Sequence, residues 1–302
     1  MADATLSQGH HVLGLILREN DPHQFMQNLH ANWGAVQTIG RGEATQSSIK
    51  EALTHLNPYA NEKVEPKFFY PEGYKPATVE EQVGRLRSRY DWLDDSHVAE
   101  LAASWSEYEQ ADGLYIIPKP SSLAVHVGVE NPWDNFGLLT EAGPISALAA
   151  AWTESGGTFR NYRTNQMGSE YYRLSKAAQS VLQGLEAQQS GDLLVFPAQT
   201  GKLYAGYSVR NSRACIQQAE GPAQWPLPSY VVGFMLYATP QRLTRYEDLA
   251  IDAPGDEYSF GVDGHFHVAL CFIVNDDGLY FAHRFLGYAH GEFGSASGFS
   301  RQ

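Results

Sequence analysis

Histidines in the C-terminal part of the chain are the first residues whose spacing suggests chemistry. His265 and His267 stand two apart in HFHVALCFIVNDDGLYFAHRF, residues 265–285, and Cys271 and His283 follow. Alternate side chains of a β-strand point to the same face, so both imidazoles would share one face of a strand. Imidazole and thiolate are common ligands of transition metals. The stretch therefore suggests a metal site, a catalytic cluster or a buried hairpin that contains histidines.

Turn residues in the same stretch predict a β-hairpin. Asn275-Asp276-Asp277-Gly278 suits a type I turn followed by a left-handed glycine, which is the common three-residue hairpin loop. This register pairs Cys271 with His283, and a two-residue loop is the alternative. Either register adds a third imidazole to the face that carries His265 and His267.

A metal shell at these histidines lacks a carboxylate. Two histidines spaced in this way would need a glutamate a few residues later, and Ala269, Leu270 and Cys271 stand there instead. We therefore expect no bound metal or other cofactor, and a half-buried, hydrogen-bonded histidine face in its place. A metal-dependent or hydrolytic enzyme that uses these C-terminal histidines is an alternative function.

Charge is distributed unevenly along the chain. The formal net charge is -13, yet the segment from Ser155 to Arg213 has seven basic residues and only three acidic ones. We call residues 155–213 the basic island. The candidate ligand-binding residues in it are Arg160, Arg163, Arg173, Lys202, Tyr207, Ser208, Arg210 and Arg213.

An anion site is the chemistry that the basic island favours. Arg210 and Arg213 lie three apart, which places them on one face of a helix. If Ser208 or Asn211 caps that helix, free backbone amides and two guanidinium groups gather at its start, and both groups bind phosphate or carboxylate. Neighbouring tyrosine and phenylalanine rings could stack a base or a sugar. We therefore predict binding of an anionic small molecule or a nucleotide, and the competing interpretation is a solvated basic face.

Composition excludes several other functions. An acidic chain has no general affinity for nucleic acid or anionic membranes, because both need clustered lysine and arginine. Two cysteines, Cys215 and Cys271, are too few for a disulfide scaffold, and no targeting segment is visible, so we expect a cytoplasmic protein. A factor that binds a protein partner through its acidic surface is a further alternative.

Common catalytic motifs are absent or incomplete. FPAQTGKL contains Gly201-Lys202, but Phe196 and Leu203 stand where a phosphate-binding loop needs glycine and serine or threonine. A nucleophile elbow of the form G-x-S-x-G does not occur. The acid pairs Asp256-Glu257 and Asp276-Asp277 are assigned to turns, where aspartate is favoured for backbone reasons.

The elements that must position these residues indicate an α+β fold, with a mixed β-sheet flanked by helices and a mostly helical N-terminal region. We predict that residues 1–110 form this region, with a loop over 57–76 and a helix that begins at a capping box of Thr78 and Glu81. Residues 111–302 form the predicted mixed α/β core domain. The predicted strands cover residues 114–118, 122–129, 191–198 and 229–240, besides the hairpin. Predicted helices begin near Gly143-Pro144, Ser169, Asn211 and Thr239-Pro240.

A family resemblance covers roughly residues 110–302. The segments that carry it are residues 160–213, from RNYRTNQ to YSVRNSR, then TPQRLTRYEDLAIDAPGDEYSF and GSASGF. They resemble a set of uncharacterised bacterial proteins associated with mobile elements such as plasmids and integrative elements. The resemblance implies a bacterial, cytoplasmic accessory protein and assigns no activity to any residue.

Overall fold

A computed structural model describes residues 57–106, 108–219, 223–261, 264–275 and 278–300. The chain divides into two compact units, Met1–Lys63 and Val64–Gln302, and every element below belongs to the second. The predicted helical region at the N-terminus falls largely on residues 1–56, which lie outside the described residues. Residues 64–110 belong to the same compact unit as the predicted core domain.

Eight α-helices lie in the described ranges. They are α1 (Val79–Arg89), α2 (Val98–Ala103), α3 (Pro120–Val127), α4 (Phe136–Thr140), α5 (Ser146–Glu154), α6 (Lys176–Gln188), α7 (Val209–Gln218) and α8 (Ser229–Ala238). A π-helical turn, Glu141–Ile145, joins α4 to α5. Short 3-10 turns occur at Lys202–Tyr204 and Pro240–Arg242.

Ten described strands form two sheets. They are β1 (Gly113–Pro118), β2 (Thr158–Asn161), β3 (Tyr172–Leu174), β4 (Leu193–Gln199), β5 (Ala223–Pro226), β6 (Ala250–Tyr258), β7 (Val268–Asn275), β8 (Gly278–Phe285), β9 (Phe293–Ser295) and β10 (Ser297–Ser300). The first sheet has the order β1-β4-β10-β5 and is antiparallel. The second has the order β2-β8-β7-β6-β3, with β9 also beside β6. Because β2–β8 and β6–β9 are parallel pairs and the others are antiparallel, the second sheet is mixed. The predicted α+β class is confirmed.

Helix α8 is the centre of the core. It packs against β1 of the first sheet and against β6 and β7 of the second, and nine of its ten residues are buried. The prediction of a strand over residues 229–240 is wrong, because a helix that is apolar on every side shows no 3.6-residue period. Gly233 permits the close packing, since a Cβ there would lie 2.8 Å from the Pro144 Cβ and 3.3 Å from the Phe272 ring.

Helix α3 replaces the strand predicted over residues 122–129. Pro120 occupies its first turn, where the missing amide hydrogen costs nothing, and Gly128 ends it with a left-handed φ of 73°. Proline at the start and glycine at the end favour a helix here, although the valines between them are β-branched and favour a strand.

Three predicted helix starts are also wrong. Pro144 lies inside the π-helical turn of a run that begins at Phe136, and a π turn tolerates a residue that cannot donate a backbone hydrogen bond. The helix expected from Ser169 begins at Lys176, capped by the Ser175 hydroxyl, because the residues before it pair with β6 as strand β3. The segment after Thr239 forms only a 3-10 turn.

Several elements are predicted correctly from short sequence patterns such as a helix cap or an apolar strand. The Thr78–Glu81 capping box is present at the start of α1. The predicted strands over 114–118 and 191–198 correspond to β1 and β4, and every residue of β4 is buried. The helix expected near Asn211 is α7.

The β7–β8 hairpin has the two-residue register. Asn275 pairs with Gly278, and His283 therefore lies opposite Leu270 rather than opposite Cys271. The predicted three-residue loop is wrong, because Gly278 belongs to the strand. A Cβ on Gly278 would lie 1.9 Å from the carbonyl oxygen of Thr158 in the adjacent β2. Glycine at position 278 therefore allows β2 and β8 to lie close together. Asp276 and Asp277 lie outside the described residues.

A pair of glycine substitutions tests the packing. Gly294 crosses Gly201 so closely that a Cβ on Gly294 would lie 2.2 Å from the Gly201 carbonyl oxygen. We expect G294A to lower the free energy of unfolding by about 1–3 kcal/mol through overpacking. The control is G184A in α6, where a Cβ meets nothing within 4 Å. We expect it to raise the same free energy by roughly 0.5–1 kcal/mol. Urea denaturation measures both, and equal effects from the two variants would contradict the described crossing.

Candidate functional site

Two arginines of the basic island bind one segment of β6. The Arg213 Nε donates to the carbonyl oxygen of Pro254 at 2.8 Å, and its Nη2 donates to that of Asp256. The Arg173 Nε donates to the Glu257 carboxylate at 2.6 Å. The assignment of Asp256-Glu257 to a turn is wrong, because both residues pair with β3 inside a strand. These arginines are therefore already engaged within the protein.

The start of α7 does not offer the free amides that the sequence predicts. The Ser208 hydroxyl caps the helix and accepts from the backbone amide of Asn211 at 3.1 Å. The backbone amide of Arg210 donates to the Leu286 carbonyl oxygen at 3.0 Å. A Cβ on Gly287 would lie 2.8 Å from the guanidinium carbon of Arg210, so this side chain lies across the Gly287 backbone. Protein groups thus occupy two of the first amides of the helix.

Three further candidates lie on other elements. Lys202 is exposed on its 3-10 turn, and Tyr207 packs its ring against Tyr204 with centroids 6.0 Å apart. Arg160, on β2, holds its guanidinium carbon 5.5 Å from the centre of the Tyr280 ring. The eight candidates are therefore distributed over several elements, and Arg163, Arg173 and Arg213 all contact β6.

The phosphate-loop-like stretch is also satisfied internally. The Gln199 side-chain oxygen accepts from the backbone amides of Gly201 at 2.7 Å and Leu203 at 3.3 Å. The hydroxyl of Tyr70 accepts from the amide of Thr200 at 2.9 Å. These bonds take the amides that a bound phosphate would need.

The C-terminal histidines do not share a strand face. His265 and His267 precede β7 and are exposed, and the His267 Nδ1 lies 2.7 Å from the carbonyl oxygen of His265. His283 lies on β8 opposite Leu270. Within the described ranges, no three histidine, cysteine, aspartate or glutamate side chains are grouped as metal ligands would be. Burial raises the pKa of the Cys271 thiol well above its ordinary value, which makes it a poor nucleophile.

An aromatic cluster nevertheless joins two of these histidines to an arginine of the basic island. Phe260 is its centre, and the Phe260 cluster consists of Arg163, Phe260, His267, His283 and Phe285. The His283 ring meets the Phe260 ring edge to face with centroids 4.4 Å apart, and the His267 ring lies 5.6 Å from it. The Arg163 guanidinium carbon lies 5.9 Å from the Phe260 centroid.

The Phe260 cluster contains two buried nitrogen atoms without partners. The Arg163 Nε and the His283 Nδ1 are shielded from water and have no hydrogen-bond partner among the described residues. An arginine Nε is always a donor, and a buried donor without an acceptor costs about 1–3 kcal/mol. Burial, assisted by the Arg163 charge, lowers the pKa of His283, so this imidazole is neutral near pH 7.

The exposure of the surrounding side chains distinguishes these two nitrogens from the other unpartnered polar atoms of the described residues. The remaining ones in the described residues belong to side chains that are at most 1 % exposed. They are in Trp225, Ser229, Arg242, Asp252 and Ser295. Arg163 and His283 are only half-buried, and they lie beside Phe260 and Phe285, which are 40 % and 56 % exposed. A solute can therefore reach the side chains of the Phe260 cluster, and a small rotation of Arg163 would expose its Nε, whereas the other five side chains are buried.

Two buried charge networks have no sequence signal, because their members are far apart in the chain. Arg284 donates to the Asp252 carboxylate at 2.7 Å, and its guanidinium lies 4.0 Å from the Phe293 ring centre. Burial raises the pKa of Asp252 to about 6. In the second network, the Thr200 hydroxyl lies 2.7 Å from the Arg242 Nε. Tyr70 and Asp112 complete this network.

A third buried carboxyl group caps helix α8. Both carboxylate oxygens of Asp256 accept from the backbone amide of Ser229, at 3.0 and 3.1 Å, and one accepts from the Tyr172 hydroxyl at 2.6 Å. Complete burial raises the pKa of Asp256 to about 7 in spite of these donors. A carboxyl group with a raised pKa in the folded state binds its proton more tightly there than in the unfolded chain.

Stability should therefore fall as pH rises. The contribution of Asp252 and Asp256 is fully present below their ordinary pKa and is lost as pH rises through about 6 to 7. We expect the free energy of unfolding to decline between about pH 5 and about pH 8, and to decline less in D256N, whose amide does not titrate. Urea denaturation across this range measures both. D134N, at an exposed position, should keep the wild-type decline, and an equal decline in D256N would contradict the argument.

The described helices include none that combines the length and the apolar composition needed to cross a bilayer.

Comparisons with protein-family models, with curated proteins and with solved structures find no match for this chain. The geometry of the Phe260 cluster is therefore the basis for a functional proposal.

Proposed function

We propose that this protein binds an anionic small molecule at the Phe260 cluster. The observation that carries the proposal is the pair of nitrogens, Arg163 Nε and His283 Nδ1, which have no partner among the described residues and belong to half-buried side chains beside exposed aromatic rings. A ligand oxygen would supply the acceptor that Arg163 lacks. Bonds from a guanidinium group to a carboxylate or phosphate are among the stronger hydrogen bonds in proteins.

The charge of Arg163 supports an anion over a neutral ligand. Arg173 and Arg284 each have a carboxylate partner, whereas Arg163 has no carboxylate within salt-bridge distance in the described part of the chain. Its polar contacts there include a long hydrogen bond of 3.4 Å to the Tyr258 hydroxyl. Its guanidinium also lies near two aromatic rings, Tyr258 and Phe260. The positive charge is therefore directed at aromatic faces, and no carboxylate among the described residues balances it.

Arg163 is the member of the basic island that this proposal retains as a ligand-binding residue. We assign Arg173, Ser208, Arg210 and Arg213 to structural roles because of the contacts described above. The proposal that the protein acts in a bacterial cytoplasm, as an accessory product of a mobile element, rests on cysteine content and sequence resemblance alone.

Substitution of Arg163 tests the proposal. We expect inorganic phosphate, sulfate or acetate to raise the unfolding temperature of the wild-type protein, and R163Q to bind the same anion at least tenfold more weakly. A ligand at ten times its Kd stabilises the folded state by about 1.4 kcal/mol, which a thermal-shift assay detects. Isothermal titration calorimetry then gives the two affinities.

The matched control is R173Q. Arg173 belongs to the same basic island, is more exposed and is paired with Glu257, so its loss should leave anion binding unchanged. An R163Q variant that keeps the wild-type affinity would refute the proposed site. Equal weakening in both variants would indicate a diffuse effect of net charge instead.

A further inference from the structure

The Phe260 cluster also exposes aromatic side chains to solvent. Phe260 is 40 % exposed and Phe285 is 56 % exposed, although phenylalanine is among the residues that folding buries most often. Their ring centroids are 6.0 Å apart, so the two rings form one continuous apolar surface beside Arg163 and His283. Exposed apolar surface next to unpartnered polar groups is the usual composition of a small-molecule site.

The angles between the rings define the shape of this surface. The planes of Phe260 and Phe285 meet at 63°, which makes a corner. The His267 ring lies nearly parallel to the Phe285 ring, at 21° with centroids 5.7 Å apart, and supports one side of the corner. A planar ring placed in such a corner can stack on one wall and meet the other edge to face, and these are the two favourable geometries for aromatic pairs.

The polar groups lie close to the same rings. The Arg163 guanidinium carbon is 5.9 Å from the Phe260 centroid, and the His283 centroid is 4.4 Å from it. Because both groups lie so close to the Phe260 ring, we expect an anionic group bonded directly to a ligand ring to fit them better than one on a long flexible linker.

We infer that the ligand of this site is an aryl anion, a planar aromatic ring that carries a carboxylate or phosphate group. The ring packs against Phe260 and Phe285, the anionic group accepts from Arg163, and the neutral imidazole of His283 bonds to a further polar atom of the ligand. This inference rests on the proposed function and adds the aromatic ring to it.

Matched pairs of compounds test the ring separately from the charge. The pairs are phenyl phosphate with ethyl phosphate, and benzoate with cyclohexanecarboxylate, titrated into the full-length protein by calorimetry. We expect the aromatic member of each pair to bind at least fivefold more tightly, because an aromatic contact contributes about 1 kcal/mol beyond simple burial. F260L and F285L should each reduce this preference, measured as the ratio of the two affinities within each pair.

Two variants serve as controls. R163Q should weaken binding of all four compounds, and F69L should weaken none, because Phe69 is an exposed phenylalanine outside the Phe260 cluster. Phe285 is the last residue of β8 and is more than half exposed. F285L therefore keeps the test decisive if F260L fails to fold.

The outcomes separate the two claims. Equal affinity for both members of each pair in the wild-type protein, with loss of both in R163Q, overturns the aryl preference and leaves the anion site in place. An aryl preference that survives F260L and F285L also overturns the inference. Absence of binding by every compound overturns the anion site and the aryl preference together.

Discussion

The bond between Asp256 and the first turn of α8 is the constraint on which the rest of the fold depends. A helix that is buried on every side leaves its first amides without water, so they need acceptors from the protein. Asp256 supplies one from β6, and Tyr172 of β3 donates to the same carboxylate. Arg213 of α7 then bonds the backbone carbonyl of Asp256. Two strands and two helices thus meet at one residue, Asp256.

This junction engages part of the basic island within the protein. Arg213 is held on the backbone of β6, and Arg173 neutralises Glu257, the residue after the capping carboxyl. Two residues of the basic island, Arg173 and Arg213, therefore bind the segment of β6 that carries the acidic pair. In the described part of the chain, the Arg163 guanidinium contacts Tyr258, the last residue of this strand, through its ring and a long hydrogen bond, and it has no carboxylate partner.

Sequence reasoning succeeds where the information is local. The capping box of α1 and the buried strand β4 are visible within a few residues. It fails for α8 and α3, because a short apolar segment has the same composition in a buried helix as in a buried strand. Arg163 and His283 were both identifiable as chemical candidates. The sequence does not identify Phe260 as their common neighbour. The cluster forms because β2 pairs with β8 and β6 pairs with β7, and these pairings bring together residues that are distant in the sequence.

The cost of the Phe260 cluster argues for a function rather than a packing accident. An unpartnered buried donor costs about 1–3 kcal/mol, a substantial part of the stability of an ordinary domain. An unpartnered atom of a core side chain can be tolerated when the other bonds of that side chain stabilise the core. Asp252 is an example, because its second carboxylate oxygen binds Arg284. Arg163 lies at the surface, where a small change of rotamer would return its nitrogen to water. Packing against Tyr258 and Phe260 favours the observed position, where the Nε has no acceptor among the described residues. The proposed anionic ligand would supply that acceptor.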